Sequence, residues 1–159
     1  MRMRTFADFL LCCSIVACST TSSLVAKSHL DNLDCGDPKG YSVEEDPETN
    51  SLKIVSDGNV FHTIKLFTDE ERNGFAFNGA KKTKDGFEMS IEYGSVIYYA
   101  KTFTFICRQH KLYLTKIQVE SFNKHNPEKW SRKVVRVQPK VPLEKFSISD
   151  FMLEGVVKK

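Results

Sequence analysis

The sequence lacks a hydrophobic run long enough to cross a membrane as a helix. Its N-terminal apolar run covers only residues 9–17 (FLLCCSIVA), whereas a spanning helix needs about 20 apolar residues. Glycine and proline are also scarce, with 8 and 5 residues among 159, which excludes collagen-like and low-complexity chains. The composition is therefore neither that of a helical membrane protein nor that of a disordered or fibrous one.

The sequence also lacks the short motifs that mark the common enzyme classes. Gly-x-Ser-x-Gly, Walker A and His-Glu-x-x-His are all absent. No two histidines have the i, i+4 spacing of a helical metal site; they are His29, His62, His110 and His125. We therefore predict no cofactor and no metal, and we favour a protein that is not an enzyme.

What the sequence does contain is the composition of one folded domain. Apolar residues make up 41% of the chain and charged residues 27%, and the length suffices for a single hydrophobic core. The formal net charge is only +3, but acids dominate residues 31–57 and bases dominate residues 101–140. This distribution predicts a charge dipole across the molecule.

The N-terminus has the order of a secretory signal: basic residues, the apolar run, and then a polar stretch at residues 19–23. Within it, Ile15-Val16-Ala17-Cys18 resembles the lipobox of bacterial lipoproteins, in which a small residue precedes the cysteine that receives the lipid. The resemblance implies that Cys18 is diacylated and becomes the mature N-terminus. Two or three acyl chains would anchor the protein stably, whereas one would not.

The resemblance also carries an expectation about location. Ser19 after the lipidated cysteine implies sorting to the outer membrane of a Gram-negative cell, with the domain facing the periplasm. Ordinary signal peptidase cleavage after Leu24-Val25-Ala26 is the alternative, and it would release a soluble periplasmic or secreted chain beginning at Lys27. Either route exports the protein.

Two cysteines, Cys35 and Cys107, lie beyond the leader. In an oxidising compartment they can form a disulfide, which would close a long loop and stabilise the fold by on the order of 3 to 4 kcal/mol. The alternative is a buried Cys107 thiol and an exposed free Cys35. Because an exposed thiol is a liability in such a compartment, we predict the Cys35–Cys107 disulfide.

Alternation of apolar residues indicates β-strands along most of the mature chain. Residues 60–66 and 87–93 place an apolar side chain at nearly every second position, which is typical of half-buried antiparallel strands. Asp57-Gly58 predicts the turn of a hairpin. A change of apolar phase predicts a β-bulge near Thr115.

The remaining segments are predicted to be mostly connections between strands. We expect a loop at residues 68–73, a charged turn at residues 79–86 and a polar loop at residues 123–133. A brief strand at residues 134–137 would then be stopped by Pro139 and Pro142.

Together these segments predict a mainly β fold of the α+β kind. The strands would form a single antiparallel meander sheet, or a partly open barrel or sandwich, with a short C-terminal helix beginning at Ser147 or Ser149 and ending at Gly155. The predicted organisation is a signal peptide at residues 1–18, a polar tether and irregular segment at residues 19–50, and a β-rich domain at residues 51–159.

Three polar side chains invite a catalytic interpretation. Glu88 and Glu92 share the polar face of one predicted strand, separated by Ser90, and could in principle form a carboxylate pair. A solvated face bordered by lysines is the more ordinary explanation. His62 lies within an apolar alternation and is best read as a satisfied or partly buried core histidine. We therefore assign no catalytic residue.

Aromatic and basic residues offer the better candidates for a binding site. Most of the aromatic side chains between residues 93 and 122 must pack in the core, but outward tyrosines beside lysine or arginine are typical hot spots. The only tryptophan lies in the basic segment at residues 124–136. The candidates for partner binding are Trp130, Arg132, Lys133, Tyr98 and Tyr113.

In type, the chain resembles the small β-rich envelope proteins of Gram-negative bacteria that neutralise toxins or lysozymes or that support envelope assembly. The resemblance implies a lipid-anchored binding module, such as a toxin-immunity protein or a hydrolase inhibitor, with another envelope protein as partner and no nucleic acid. The alternatives are a small cell-wall hydrolase and a purely structural envelope protein. A deep polar pocket would favour the hydrolase, and a protruding aromatic and basic patch would favour the binder.

Overall fold

The structure, a computed structural model, describes Leu33, Cys35, residues 40–67 and residues 74–152. The predicted signal peptide with Cys18, the alternative cleavage site after Ala26, the loop at residues 68–73 and Gly155 lie outside the described residues. The described part consists mostly of β-strands, eight in number, followed by two 3-10 turns.

The strands form two antiparallel sheets, and within each sheet the strands that are consecutive in the chain pair with each other. The three-stranded sheet contains β1 Ser42–Asp46, β2 Ser51–Ser56 and β3 Asn59–Lys65. The five-stranded sheet contains β4 Phe75–Thr83, β5 Gly86–Tyr93, β6 Ile97–Arg108, β7 Lys111–Asn123 and β8 Asn126–Pro142. The mainly β prediction is confirmed, with two open meander sheets in place of a single one.

The structure confirms two local predictions, the turn at Asp57-Gly58 and the β-bulge near Thr115. Asp57 and Gly58 both have positive φ, at 50° and 74°, and they form the tight turn between β2 and β3 that twisted hairpins prefer. Thr104 pairs with Lys116 while Phe105 pairs with Leu114. Thr115 is therefore the extra residue of a β-bulge, as the shift of apolar phase predicted.

The inner faces of the two sheets share one hydrophobic core. Alternating residues of β5 and β6 point into it, and the rings of Phe87 and Phe105 stack at 4.6 Å between centroids. The other fully buried members on the strands are Leu52, Ile54, Met89, Ile91, Phe103, Leu112 and Leu114. This burial of large apolar side chains is the main stabilising contribution to the fold.

The chain after β8 closes the core. It forms 3-10 turns at Leu143–Lys145 and Ile148–Phe151, so the predicted C-terminal helix is a 3-10 turn that begins after Ser147. Phe146 and Phe151 present their rings edge-on to Phe103, at 5.4 and 6.2 Å between centroids. The last described residues therefore pack directly on β6.

Lys101 fixes this packing from within the protein. Its side chain lies on the core-facing side of β6, and the residue is only 5% exposed. The ammonium group donates hydrogen bonds to the carbonyls of Phe151, at 2.6 Å, and Met152, at 3.2 Å. Such partners offset the cost of removing the ammonium group from water.

A disulfide joins Cys35 to Cys107, with 5.8 Å between their Cα atoms, as predicted. Leu33, two residues earlier, is fully buried in the core. The N-terminal segment is therefore fastened to the C-terminal end of β6.

Three segments expected to be irregular are strands. Strand β1 lies inside residues 19–50, β4 continues to Thr83 so that the turn before β5 contains only residues 84–85, and residues 126–133 belong to β8. Pairing with a neighbour supplies the backbone hydrogen bonds of these strands even without apolar alternation. Pro139 and Pro142 do not end β8 early because it is an edge strand, where proline is tolerated.

Candidate functional site

The outer face of the five-stranded sheet, which points away from the core, carries a polar cleft of about 550 Å³. It forms because the polar residues of β5, β6 and β7 alternate with the buried ones. The cleft is lined by Asn78, Gly79, Ala80, Lys81, Glu88, Ser90, Thr102, Lys116, Gln118 and Arg132.

Glu88 is the central carboxylate of this cleft. It accepts a hydrogen bond from the Thr104 hydroxyl at 3.0 Å, and the Lys81 and Lys116 ammonium groups lie 3.4 and 3.7 Å away. Partial burial raises the pKa of Glu88, but the hydrogen bonds from Thr104 and Lys81 and the charges of both lysines outweigh it and hold the pKa below its usual value. Glu88 is therefore ionised at neutral pH and is unsuited to donate a proton.

Glu88 and Glu92 do not form a catalytic pair. They lie four residues apart on β5, which corresponds to about 13 Å along a strand, whereas the paired carboxylates of glycosidases are about 5 to 9.5 Å apart. Glu92 instead accepts a hydrogen bond from the Asn78 amide at 2.5 Å. Burial, and then the hydrogen bond and charge of Glu92, raise the pKa of Tyr98 to about 12.

The remaining polar groups of the cleft also bind one another. The Gln118 amide donates to Glu120 at 2.9 Å, and Arg132 donates to the Gln118 carbonyl oxygen and lies 3.7 Å from Glu120. The described residues contain no group of three or more His, Cys, Asp or Glu side chains that could hold a metal ion. The cleft is a network of satisfied polar groups rather than a set of reactive ones.

His62 is half-buried on β3, opposite Ile54 of β2. Burial lowers the pKa of His62, and the Glu144 carboxylate opposes this effect only in part. The imidazole is therefore neutral at pH 7.

The structure brings four of the five predicted partner-binding residues to the same end of the five-stranded sheet. Trp130, Arg132 and Lys133 lie on β8, and Tyr98 of β6 packs on Phe122 of β7 at 4.8 Å between ring centroids.

Tyr113 lies apart from these residues, about nine residues or roughly 30 Å back along β7 from Phe122. There it lines a second cleft of about 460 Å³ with Arg108, Gln109 and Lys140.

The sequence predicts a polar loop at residues 123–133, whereas the structure shows that residues 126–133 belong to strand β8. Residues 126–134 are all exposed, and no described strand pairs with the outer edge of β8. Trp130 and Val134 are each 53% exposed and share one face of β8 with Arg132, while the exposed Lys129 and Lys133 alternate to the other face. We call residues 126–134 the β8 surface. The absence of apolar alternation was the available signal that neither face of this strand is covered.

The opposite edge of the sheet is different. Strand β1 lies against β4, and the Lys82 ammonium group donates to the Tyr41 carbonyl and lies 3.8 Å from the centre of the Tyr41 ring. Of the two sheet edges, the one formed by β8 is therefore the more accessible to a partner.

No family model matches this chain, and comparisons with curated proteins and with solved structures find no match either. Among the described residues, no helix is long and apolar enough to cross a membrane.

Proposed function

We propose that this protein is an exported, lipid-anchored binding protein of the bacterial cell envelope that docks another envelope protein on its β8 surface. The observation that carries the proposal is the exposure of Trp130 and Val134, at 53% each, on a strand whose outer edge has no partner among the described strands. Exposed apolar side chains on an open edge are typical of interaction sites.

The chemistry of the β8 surface indicates the kind of partner. Tryptophan and arginine are the residues most often found at binding hot spots. Residues 126–134 contain three cations and one acid, Glu128. Arg132 already lies near Glu120, but Lys129 and Lys133 form no ion pair with a described residue, which favours an acidic partner. Lysines on an edge strand also discourage pairing between copies of the same strand. A toxin-immunity or inhibitor module would use such a surface.

The leader and the disulfide support the proposed location. The lipobox at residues 15–18 provides a site for a lipid anchor, and a disulfide such as Cys35–Cys107 persists in oxidising compartments such as the periplasm. The hydrolase alternative has less support, because Glu88 is held ionised between two lysines and is too far from Glu92 to act with it.

The proposal is tested by quantitative capture from detergent-solubilised envelopes, using the chain produced with its own leader. The variant Trp130→Ala/Lys133→Glu should retain the fold and capture at least about tenfold less partner, since a buried hot spot contributes 2 kcal/mol or more to binding. Val60→Ala/Lys65→Glu is the matched control on β3, where both residues are exposed. Its capture should equal that of the unaltered chain.

Intact mass of the same bait tests the anchor. A chain that begins at Cys18 and carries lipid supports it, whereas an unlipidated chain beginning at Lys27 contradicts it. Equal loss of capture in the two variants would contradict the assignment of the β8 surface.

A further inference from the structure

A second group of cations lies at the end of the five-stranded sheet opposite the β8 surface. Arg108 and Lys111 are register partners across the β6–β7 turn, and Lys140 lines the cleft of about 460 Å³ with Arg108 and Tyr113. In the described part of the chain, none of the three cations forms an ion pair. We call Arg108, Lys111 and Lys140 the basic end.

The backbone holds the basic end in place. Gln109 and His110 both have positive φ, at 50° and 60°, and form the two-residue turn that keeps Arg108 opposite Lys111. The neighbouring β4–β5 turn adds Lys84 and Asp85, whose charges cancel, and the Asp85 carbonyl accepts a hydrogen bond from the Cys107 amide at 2.7 Å. Among the described residues of the two turns and Lys140, the cations Lys84, Arg108, Lys111 and Lys140 therefore outnumber the single acid, Asp85.

The disulfide connects the same end to the predicted anchor. Cys107 directly precedes Arg108, and its partner Cys35 follows Cys18 by 17 residues. A chain of that length reaches at most about 60 Å. Cys35, the residue of this segment that the disulfide fixes, therefore lies beside the basic end.

We propose that the basic end lies against anionic phospholipid headgroups of the membrane that holds the anchor. This inference rests on the lipid anchor of the proposed function. It gives the domain an orientation, because the β8 surface lies at the far end of β7, roughly 30 Å away along the strand, and points away from the lipid towards a partner.

The size of the effect follows from the charges. Each lysine or arginine near an anionic membrane surface strengthens the attraction roughly fivefold, so three cations favour this orientation on the order of a hundredfold. The attraction is electrostatic, and added salt should weaken it.

The orientation is measured by fluorescence of the lipidated full chain in vesicles of phosphatidylcholine and phosphatidylglycerol that carry a spin label on a headgroup. Trp130 is the only native tryptophan and reports on the far end, while the variant Tyr113→Trp/Trp130→Phe moves the reporter to the basic end. The spin label should quench the reporter at position 113 and leave Trp130 nearly unquenched. Vesicles of phosphatidylcholine alone should remove this difference.

Charge reversal provides the control. Arg108→Glu/Lys111→Glu/Lys140→Glu, placed in the position-113 reporter background, should abolish its quenching. Lys124→Glu/Lys129→Glu/Lys133→Glu, in the same background, makes the same change of charge at the far end and should preserve it. Equal quenching at positions 113 and 130, or quenching that survives the first reversal, would overturn the inference.

The two proposals fail in different ways. Partner capture that depends on Trp130 without any preferred orientation would overturn only the membrane contact. If intact mass shows no lipid on Cys18, the anchor fails. Sedimentation of that unlipidated chain with phosphatidylglycerol vesicles then tests the basic end alone, and its failure to bind more strongly than the triple variant would overturn the inference.

Discussion

Tyr41 is a buried side chain whose hydroxyl has no hydrogen-bond partner among the described residues. Its ring is held by the Lys82 ammonium group, 3.8 Å from the ring centre. Burial raises the pKa of Tyr41 to about 12. An unpaired buried hydroxyl costs about 1 to 3 kcal/mol of stability relative to a paired one. The Tyr41 ring therefore stabilises the fold by packing, whereas its hydroxyl lowers the free energy of unfolding.

Replacing this hydroxyl should stabilise the protein. We expect Tyr41→Phe to raise the free energy of unfolding by about 1 kcal/mol at pH 7, because the substitution removes a desolvated polar group and keeps the ring. Chemical denaturation followed by circular dichroism would measure the change. A decrease of similar size would show that the hydroxyl makes a stabilising contact.

The same residue predicts sensitivity to alkaline pH. A tyrosine ionises near pH 10 in the unfolded chain and near pH 12 when buried as Tyr41 is. Because the folded protein disfavours the ionised form, ionisation of Tyr41 does not change the free energy of unfolding below pH 10. It lowers that free energy progressively as the pH rises towards 12. The unaltered protein should lose more stability than Tyr41→Phe between pH 10 and 12, measured by the same denaturation curves. Parallel losses would contradict the assignment.

For single residues, the sequence predicted the face of the sheet on which a side chain lies better than it predicted the contacts of that side chain. It placed Glu88 and Glu92 on one polar face correctly, since strand alternation determines the face. It could not show that Lys81 and Lys116 approach Glu88 from two other strands, because those contacts depend on the register between strands. The sequence also could not show that the Tyr41 hydroxyl is buried without a hydrogen-bond partner among the described residues, because its burial depends on the packing of distant segments.

At the scale of the element, Gly86 determines how closely β5 and β6 approach. A Cβ atom at this position would collide with the backbone carbonyl of Phe105 on the paired strand. Backbone atoms cannot yield as a flexible side chain would, so the two strands would have to separate there.

We expect Gly86→Ala to lower the free energy of unfolding by about 1 to 3 kcal/mol, the usual cost of forcing extra volume into a packed site. Lys84→Ala, in the exposed turn two residues earlier, should change it by less than about 0.5 kcal/mol. Urea denaturation of both variants measures the difference. A harmless Gly86→Ala would mean that this part of the β5–β6 pair has room to adjust.

The strands that the sequence predicted are those with one covered face. Strand β5 and the β2–β3 hairpin alternate because the core takes every second side chain. The exposed half of β8 has no covered face, and its polar sequence resembles a loop. The C-terminal part of β4 is held mainly by pairing with β5, which a local pattern does not reveal.

At the scale of the whole molecule, the Cys35–Cys107 disulfide joins residues 72 positions apart. Closing a loop of this length restricts the unfolded chain. We expect Cys35→Ala/Cys107→Ala to lower the free energy of unfolding by roughly 3 to 4 kcal/mol. Denaturation curves without reductant measure the loss, and reduction of the unaltered protein should reproduce most of it. A double variant as stable as the oxidised protein would contradict this expectation.

The sequence predicted that consecutive strands pair in an antiparallel meander, and the structure confirms it, but the division of the strands between two sheets could not be predicted. Alternation predicts which side chains are buried but not which strand is the neighbour, so a single sheet and two sheets were equally compatible with the pattern. The chain changes sheet between Lys65 and Phe75, and no described pairing joins β3 to β4. The uneven distribution of charge could be predicted, because it follows directly from the order of residues in the chain. In the structure, the acids of β1 and the bases of β8 belong to different sheets.

The hydrogen bond from Lys101 to the carbonyl of Phe151 spans 50 residues, and it has a consequence for biosynthesis. A ribosome releases β6 well before it releases the residues that cover this strand. Until then, the side chains of Phe103 and Lys101 lack the contacts with Phe146 and Phe151 that bury them. Closure must follow the appearance of Phe146 and Phe151. The nascent chain therefore cannot complete this part of its core until the residues up to Phe151 have been made.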